Sequence, residues 1–309
     1  MKTVLLTLLT ALAPILWGST YIVTTEILPA GTPFTAAVIR CLPAGLILIV
    51  ISQYRPSGAQ WKQLLLLSLF NFACFQGLLF IAAYRLPGGL AAVVGAIQPL
   101  VVLALSWIVL SVKPAKLTLF ACVAAIIGMA MLIISPMMNQ GIRWDEVGII
   151  AALFGAISMG VGTFFSKHWQ QTSSANTPLL AFTGWQLTLG GIMLLPLSLW
   201  FDPSLPSLTI EHALGFSYLA VFGTLLSYLI WFTGVSKLPS AAVSALGLLS
   251  PISAIILGWV LLNQTIEGWA LVGLSIVITS VLTVQYSQSR KSKVNEINLF
   301  QVTNKEKTA

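Results

Sequence analysis

Nearly the whole chain is taken up by ten stretches of mostly apolar residues, each about 20 residues long and separated by short breaks rich in Pro, Gly, Ser and Asn. A helix rising 1.5 Å per residue needs about 20 such residues to cross the hydrocarbon core of a bilayer. The runs cover 4–25, 33–52, 63–84, 89–111, 117–135, 147–166, 178–200, 213–234, 241–262 and 269–286. Only 7% of the 309 residues are charged, against about 25% in soluble domains, so little is left to coat a water-facing surface. None of the runs alternates strictly between apolar and polar residues, which excludes an outer-membrane barrel. The expected fold is an all-α membrane protein of ten transmembrane helices.

The charges orient these helices. With the N-terminus in the cytoplasm, the inner segments carry Lys2, Arg55, Lys62, Lys113, Lys116, Lys167, Lys237 and all five basic residues of the tail, whereas the outer loops carry only Arg85 and Arg143. Arg40 lies within a span. The acids lean the other way, with Glu26, Asp145, Glu146, Asp202, Glu211 and Glu267 outside. This bias follows the positive-inside rule. It accounts for the net charge of +7 without a nucleic-acid partner. The start, "MKTVLLTLLTALAP", imitates a signal peptide with its Ala-x-Ala triplet. However, Pro14 would follow the cut and the apolar run continues through Trp17 to about Val23, so it is expected to be retained as the first span. From 287 to 309 the chain is polar and reads as a disordered cytoplasmic tail. Cys41, Cys74 and Cys122 lie inside apolar runs without metal-ligand spacing. Neither metal nor cofactor is expected.

Two of the runs are near copies. "LPGGLAAVVGAIQPLVVLALSW" (86–107) and "LPSAAVSALGLLSPISAIILGW" (238–259) align at an offset of 152 residues and share Leu-Pro, Gly95 with Gly247, Pro99 with Pro251, and Trp107 with Trp259. Weaker echoes pair "GTPF" (31–34) with "NTPL" (176–179), and "GST-Y" (18–21) with "VGT-F" (161–164). The copies are spans four and nine, so each half holds five spans: 1–140 and 141–286. Five is odd, so the second half enters the membrane from the opposite side, and a pseudo-two-fold axis in the membrane plane is expected to enclose a shared central cavity. Pro99 and Pro251 are each expected to break a helix. The break either lines a wet cavity, with a gating role, or is a structural kink.

The chain resembles EamA-type transporters of the drug/metabolite transporter superfamily. The likeness rests on "APILWGSTYI" (13–22), the Leu-Pro starts of spans four and nine, their central Pro99 and Pro251, and the tandem five-span repeats. It covers about residues 1–286. The resemblance implies a cavity among spans one to four and six to nine, with spans five and ten peripheral. It also implies an inner-membrane exporter of amino acids, related metabolites or drugs.

Polar and aromatic groups inside spans are the candidates for touching a small-molecule substrate, since lipid offers them no partners. Arg40 lies about 10 Å along its helix from Pro33. It either contacts a substrate carboxylate or snorkels or pairs with an acid near the outer interface. Trp17, Thr20 and Tyr21 gather beside Gly18. Trp17 and Tyr21, four residues apart, share a face that serves either substrate stacking or helix packing. Asn71 and Gln76 in span three, Gln98 beside Pro99, Trp185 and Gln186 in span seven, Tyr228 and Trp231 in span eight, and Ser250 beside Pro251 complete the set. Each of these has inter-helix hydrogen bonding or packing as its alternative role.

No Asp or Glu falls at mid-membrane on this map, which argues against polycationic substrates. No GxxxxGK[ST] sequence, nucleophile with a base, or metal cluster is present, so direct ATP drive and enzymatic chemistry are not expected. The expected activity is secondary transport, with export of an amino-acid-like or aromatic metabolite ahead of broad drug efflux. The oligomeric state stays open, a monomer included.

Overall fold

The computed structural model describes residues 2–86, 88–95, 97–111, 113–140, 145–172, 177–203, 208–237, 246–247, 249–263, 266–280, 282–283 and 286–287. Pro87, Leu238 and Pro239 of the repeated Leu-Pro starts, Arg143 and the tail from residue 288 lie outside them. Among the described residues the protein is all-α, because a backbone in hydrocarbon must satisfy its own N–H and C=O groups. In chain order the helices are α1 (Lys2–Gly18), α2 (Thr20–Glu26), α3 (Pro33–Ser52), α4 (Gly58–Ser68), α5 (Phe75–Arg85), α6 (Gly88–Gly95), α7 (Gln98–Leu110), α8 (Lys116–Gln140), α9 (Glu146–Thr172), α10 (Leu179–Phe201), α11 (Ile210–Ala220), α12 (Ser227–Lys237) and α13 (Leu249–Leu262). A last helix, α14, covers Trp269–Ser280.

By length and composition, seven helical stretches can cross a membrane: Val4–Glu26, Pro33–Ser52, Gln60–Arg85, Leu90–Leu110, Glu146–Ser166, Leu179–Phe201 and Ile210–Trp231. Three shorter apolar helices, Lys116–Met131, Leu249–Leu262 and Trp269–Ser280, occupy the remaining runs. Large apolar side chains such as Ile108, Phe120, Leu199 and Trp200 are more than 70% exposed, as a lipid-facing surface requires. The paired Trp107 and Trp259 are exposed as well.

Local structure repeats along the chain more closely than the sequence does. Between α4 and α5 lies a π-helical turn, Leu69–Cys74, and between α11 and α12 lies another, Val221–Leu226. All three consecutive elements of the first set recur in the second, each boundary 152 residues later. The start recurs too: Ser57 with Gln60 and Thr209 with His212 form capping boxes. So does a helix end, with Ser111 and Asn263 in the left-handed conformation at φ 53° and 51°. The two turns, LFNFAC and VFGTLL, share no glycine or proline pattern, and π turns are rare and frequently found at functional sites.

The two prolines expected to break helices do so differently. Span four is interrupted at Ile97, and Pro99 stands in the first turn of α7. Pro251 likewise stands near the start of α13. At Pro99 a missing N–H removes no hydrogen bond, since the first turn has none to make. Pro14, Pro43, Pro136 and Pro196 lie inside helices. The expectation of a mid-helix kink at Pro99 is therefore corrected to a helix start; for Pro251, residues 246–247 are helical and residue 248 lies outside the described residues.

The spine of the bundle is α3 packed against α10. Thr35 Oγ1 meets Ser198 Oγ at 2.7 Å. A Cβ on Gly191 would fall against Leu42, one on Gly45 against Thr188, and one on Gly184 against Leu48. As one sequence rises the other falls, so the helices run antiparallel. Glycines at the crossing let the backbones approach closely. At the end of α10, Asp202 accepts the Thr35 N–H at the start of α3 (2.5 Å), a cap borrowed from the other half of the chain. Around this spine, α1 packs on α12 and α13 while α9 packs on α5 and α7. A small core of Cys41, Leu48, Phe72 and Leu187, with Tyr228 against it, joins spans two, three, seven and eight.

A methyl group on Gly45 would come within 2.5 Å of Thr188 Oγ1 and 2.6 Å of its backbone nitrogen. Gly45→Val is expected to destabilise the bundle by about 1–3 kcal/mol through overpacking. The check is the thermal unfolding midpoint of the detergent-purified protein, with the exposed Gly58→Val as a control.

Candidate functional site

At the junction of the two halves sits Arg40, 4% exposed. Its Nε–H donates to Thr224 Oγ1 (3.0 Å), one Nη1–H to Thr20 Oγ1 (3.2 Å) and one Nη2–H to the Gly223 carbonyl (3.1 Å). Its Cζ lies 5.9 Å from the Phe80 ring centre. All three acceptors are neutral. Among the described residues the one ion pair is Arg85 with Asp145, at 2.8 Å on the exterior. Among the described residues Arg40 therefore pairs with no acid, and its guanidinium is held inside the bundle rather than snorkelling out. Tyr21, Tyr218, Tyr228 and Cys41 lie within electrostatic reach of its charge.

The π turn explains how the arginine is held. Widening the helix by one residue shifts its hydrogen-bond register and leaves carbonyls short of partners. In Val221–Leu226, Gly223 O turns to Arg40 and Phe222 O accepts Ser227 Oγ–H (2.5 Å). In Leu69–Cys74, Phe70 O, which is Phe222's counterpart, accepts Ser158 Oγ–H from α9 (2.7 Å). Each of these carbonyls accepts a side-chain hydrogen bond from within the protein.

Beyond Arg40, an aromatic box forms across spans one and eight. The Trp17 ring centre lies 5.5 Å from Tyr228 and 5.2 Å from Trp231, at tilts of 55° and 58°. Such offsets suit ring packing. The Trp17 Nε1–H is buried and has no partner. Tyr21, expected to share a face with Trp17, packs instead on the cluster around Val93 and Val94 of span four. Gln76, 1% exposed, stands one turn before Phe80, and its Oε1 has no partner. Arg40, Thr20, Phe80, Trp17, Tyr228 and Trp231 thus form one neighbourhood.

A second polar node joins span three to spans six and seven. Asn71 Nδ2–H donates to Gln186 Oε1 (2.8 Å) and Ser166 Oγ (3.0 Å), while Asn71 Oδ1 is buried without a partner. Nearby, Gln98 Nε2–H reaches Thr163 Oγ1 (3.0 Å). Trp185 stands apart. Its Nε1–H donates to Tyr54 O (3.0 Å), and its ring packs edge-on against Trp61. The Ser250 backbone packs against Gly18 of span one, so closely that a methyl there would collide with the Ser250 carbonyl. Pro251 is buried; the side chain of Pro99 lies outside the described residues. Sequence reasoning missed Thr224, Gly223, Phe80 and Tyr218, the last joined to Ser19 Oγ at 2.7 Å. The only signal for them is the Gly-Thr pair at 223–224, polar among apolar neighbours.

Comparison with known proteins gives this arrangement its context. The pattern of the EamA-like transporter family matches residues 4–134 and matches again over 146–286. The chain belongs to the EamA-like transporter family. Protein PecM of Dickeya dadantii (strain 3937) is 39% identical over 287 residues, covering 92% of this chain and 94% of its own. The WAT1-related protein At3g02690, chloroplastic, of Arabidopsis thaliana is 28% identical, over 88% of this chain and 67% of its own. The inner membrane transporter YedA of Escherichia coli (strain K12) is 27% identical over 87% of each chain. A solved crystal structure covers 93% of this chain with a TM-score of 0.62 at 15% identity, a likeness of fold. The chain is a multi-pass membrane transporter and not an enzyme.

Thr224 supplies the oxygen for the Arg40 Nε–H at a site with no water-facing surface. Thr224→Val keeps the shape and leaves a charged donor unpaired, which is expected to cost about 1–3 kcal/mol. Thermal unfolding checks it; Thr224→Ser should restore most of the loss.

Proposed function

We propose that the protein is a secondary transporter of a bacterial-type inner membrane that exports a small amino-acid-like or aromatic metabolite by alternating access. Its two five-span halves, 1–140 and 141–286, lie inverted in the bilayer, and the cytoplasm holds both termini and the tail. The antiparallel run of α3 and α10, whose starts are the echoing "GTPF" and "NTPL", supports the inversion. So does the exchange of packing partners: span one on eight and nine, span six on three and four. The distribution of Lys and Arg supports the orientation.

The observation that carries the functional reading is Arg40: a buried cation with neutral partners, beside an aromatic box, where the halves meet. It suits a cargo carboxylate, and the Trp17, Tyr228 and Trp231 rings suit a planar body. Arg40 to Thr224 links spans two and eight, and Asn71 to Gln186 links spans three and seven. Two-fold exchange converts one link into the other. By sequence position the first falls in the outer half of the membrane and the second in the inner half. Their alternate breaking would open the cavity to one side and then the other. A broad-specificity drug exporter could use the same box, but an unbalanced positive charge beside it opposes organic cations.

Counterflow in proteoliposomes, run with amino acids, aromatic acids and lipophilic cations, tests the reading. Zwitterionic or anionic compounds are expected to exchange. Arg40→Gln should weaken their apparent affinity at least tenfold, which is about 1.4 kcal/mol. Exchange of organic cations alone, or an unchanged affinity in Arg40→Gln, contradicts it.

A further inference from the structure

Among the described residues the charge on Arg40 has no counter-charge. The six acids among the described residues, Glu26, Asp145, Glu146, Asp202, Glu211 and Glu267, stand at helix ends or in the segments that join helices. Two of these are already engaged, Asp145 by Arg85 and Asp202 by the start of α3. A guanidinium has five N–H donors. Three of them point to Thr224, Thr20 and Gly223, which hold the group in place without neutralising it. That leaves one donor on Nη1 and one on Nη2, both on a group 4% exposed. Retaining an uncompensated charge at such a position is costly, whereas the remaining pair of donors forms a fork suited to an anion.

We propose that Arg40 is an anion site in its own right: between transport events it holds an exchangeable inorganic monovalent anion of halide or nitrate size, which the cargo carboxylate displaces. The inference rests on the reading of Arg40 as lining the transport path, and it names the occupant of that site before cargo arrives. Thr224 and Gly223 come from the π turn of span eight, and Thr20 comes from span one. The ion therefore stabilises the contact of span two with both. Exchange of one anion for another leaves the charge of the centre unchanged as cargo enters. Inorganic anions accordingly compete with cargo.

The test is the thermal unfolding midpoint of the full-length protein in detergent. Potassium gluconate is replaced stepwise by chloride, bromide or nitrate at constant ionic strength. A ligand that binds only the folded state raises the midpoint saturably with its concentration. The wild type is expected to gain several degrees with each small anion. Arg40→Gln should show no gain, and Arg40→Lys, which keeps the charge but loses the fork, should need several-fold more anion for half the effect. A wild type indifferent to the anion overturns the proposal. So does an equal, saturable gain in Arg40→Gln, which would put the ion elsewhere, or in Arg40→Lys a concentration dependence identical to the wild type. None of these results touches the transport reading, whose own failure would be undiminished counterflow in Arg40→Gln.

Discussion

A peptide group in hydrocarbon has no water to fall back on, so every departure from a regular helix must be answered within the protein. The departures in this protein fall where the halves meet. In the π turn of span eight the Phe222 and Gly223 carbonyls accept from Ser227 and Arg40. In that of span three the Phe70 carbonyl accepts from Ser158 of α9. The requirement to satisfy the backbone thus also dictates which side chains cross between helices. Arg40 is held at the centre because a widened helix presents it with an acceptor.

The close approach of α3 and α10 makes this economical. Glycines at 45, 184 and 191 bring the backbones of the two antiparallel helices together. The neighbours then follow in matched pairs: span one against eight and nine, span six against three and four. The matching is not perfect in chemistry. One cross-link carries a full positive charge and its counterpart carries two amides. On the inverted reading, that difference gives the two faces of the cavity unequal electrostatics on one shared architecture.

Much of the architecture was legible in the sequence, because lipid imposes a length and a composition on each span. The apolar runs fall on the helices, and the offset of 152 read from paired Pro and Trp residues is the offset at which whole elements recur. The π turns were not legible. "LFNFAC" and "VFGTLL" share little, and inserting one residue into a helix that is apolar all round leaves no break in periodicity. Pro99 misled for a related reason: a proline removes a hydrogen bond only beyond the first turn, and sequence alone does not say where a turn begins. Among site residues, Arg40, Asn71 and Gln186 could be singled out as polar groups within apolar spans. Their partners Thr224, Gly223 and Ser166 could not, because pairing across more than 90 residues depends on how the helices pack.

The central claim is that equivalent residues of the two halves face opposite sides of the membrane. Ser111 and Asn263 test it most directly. They are exposed, share one backbone conformation at the ends of α7 and α13, and stand 152 residues apart. In a cysteine-free background, a single cysteine at either position can be challenged with a membrane-impermeant maleimide from one face of the membrane at a time. The account predicts labelling of position 111 only from the cytoplasmic face and of position 263 only from the outer face. Labelling of both from the same face would contradict it.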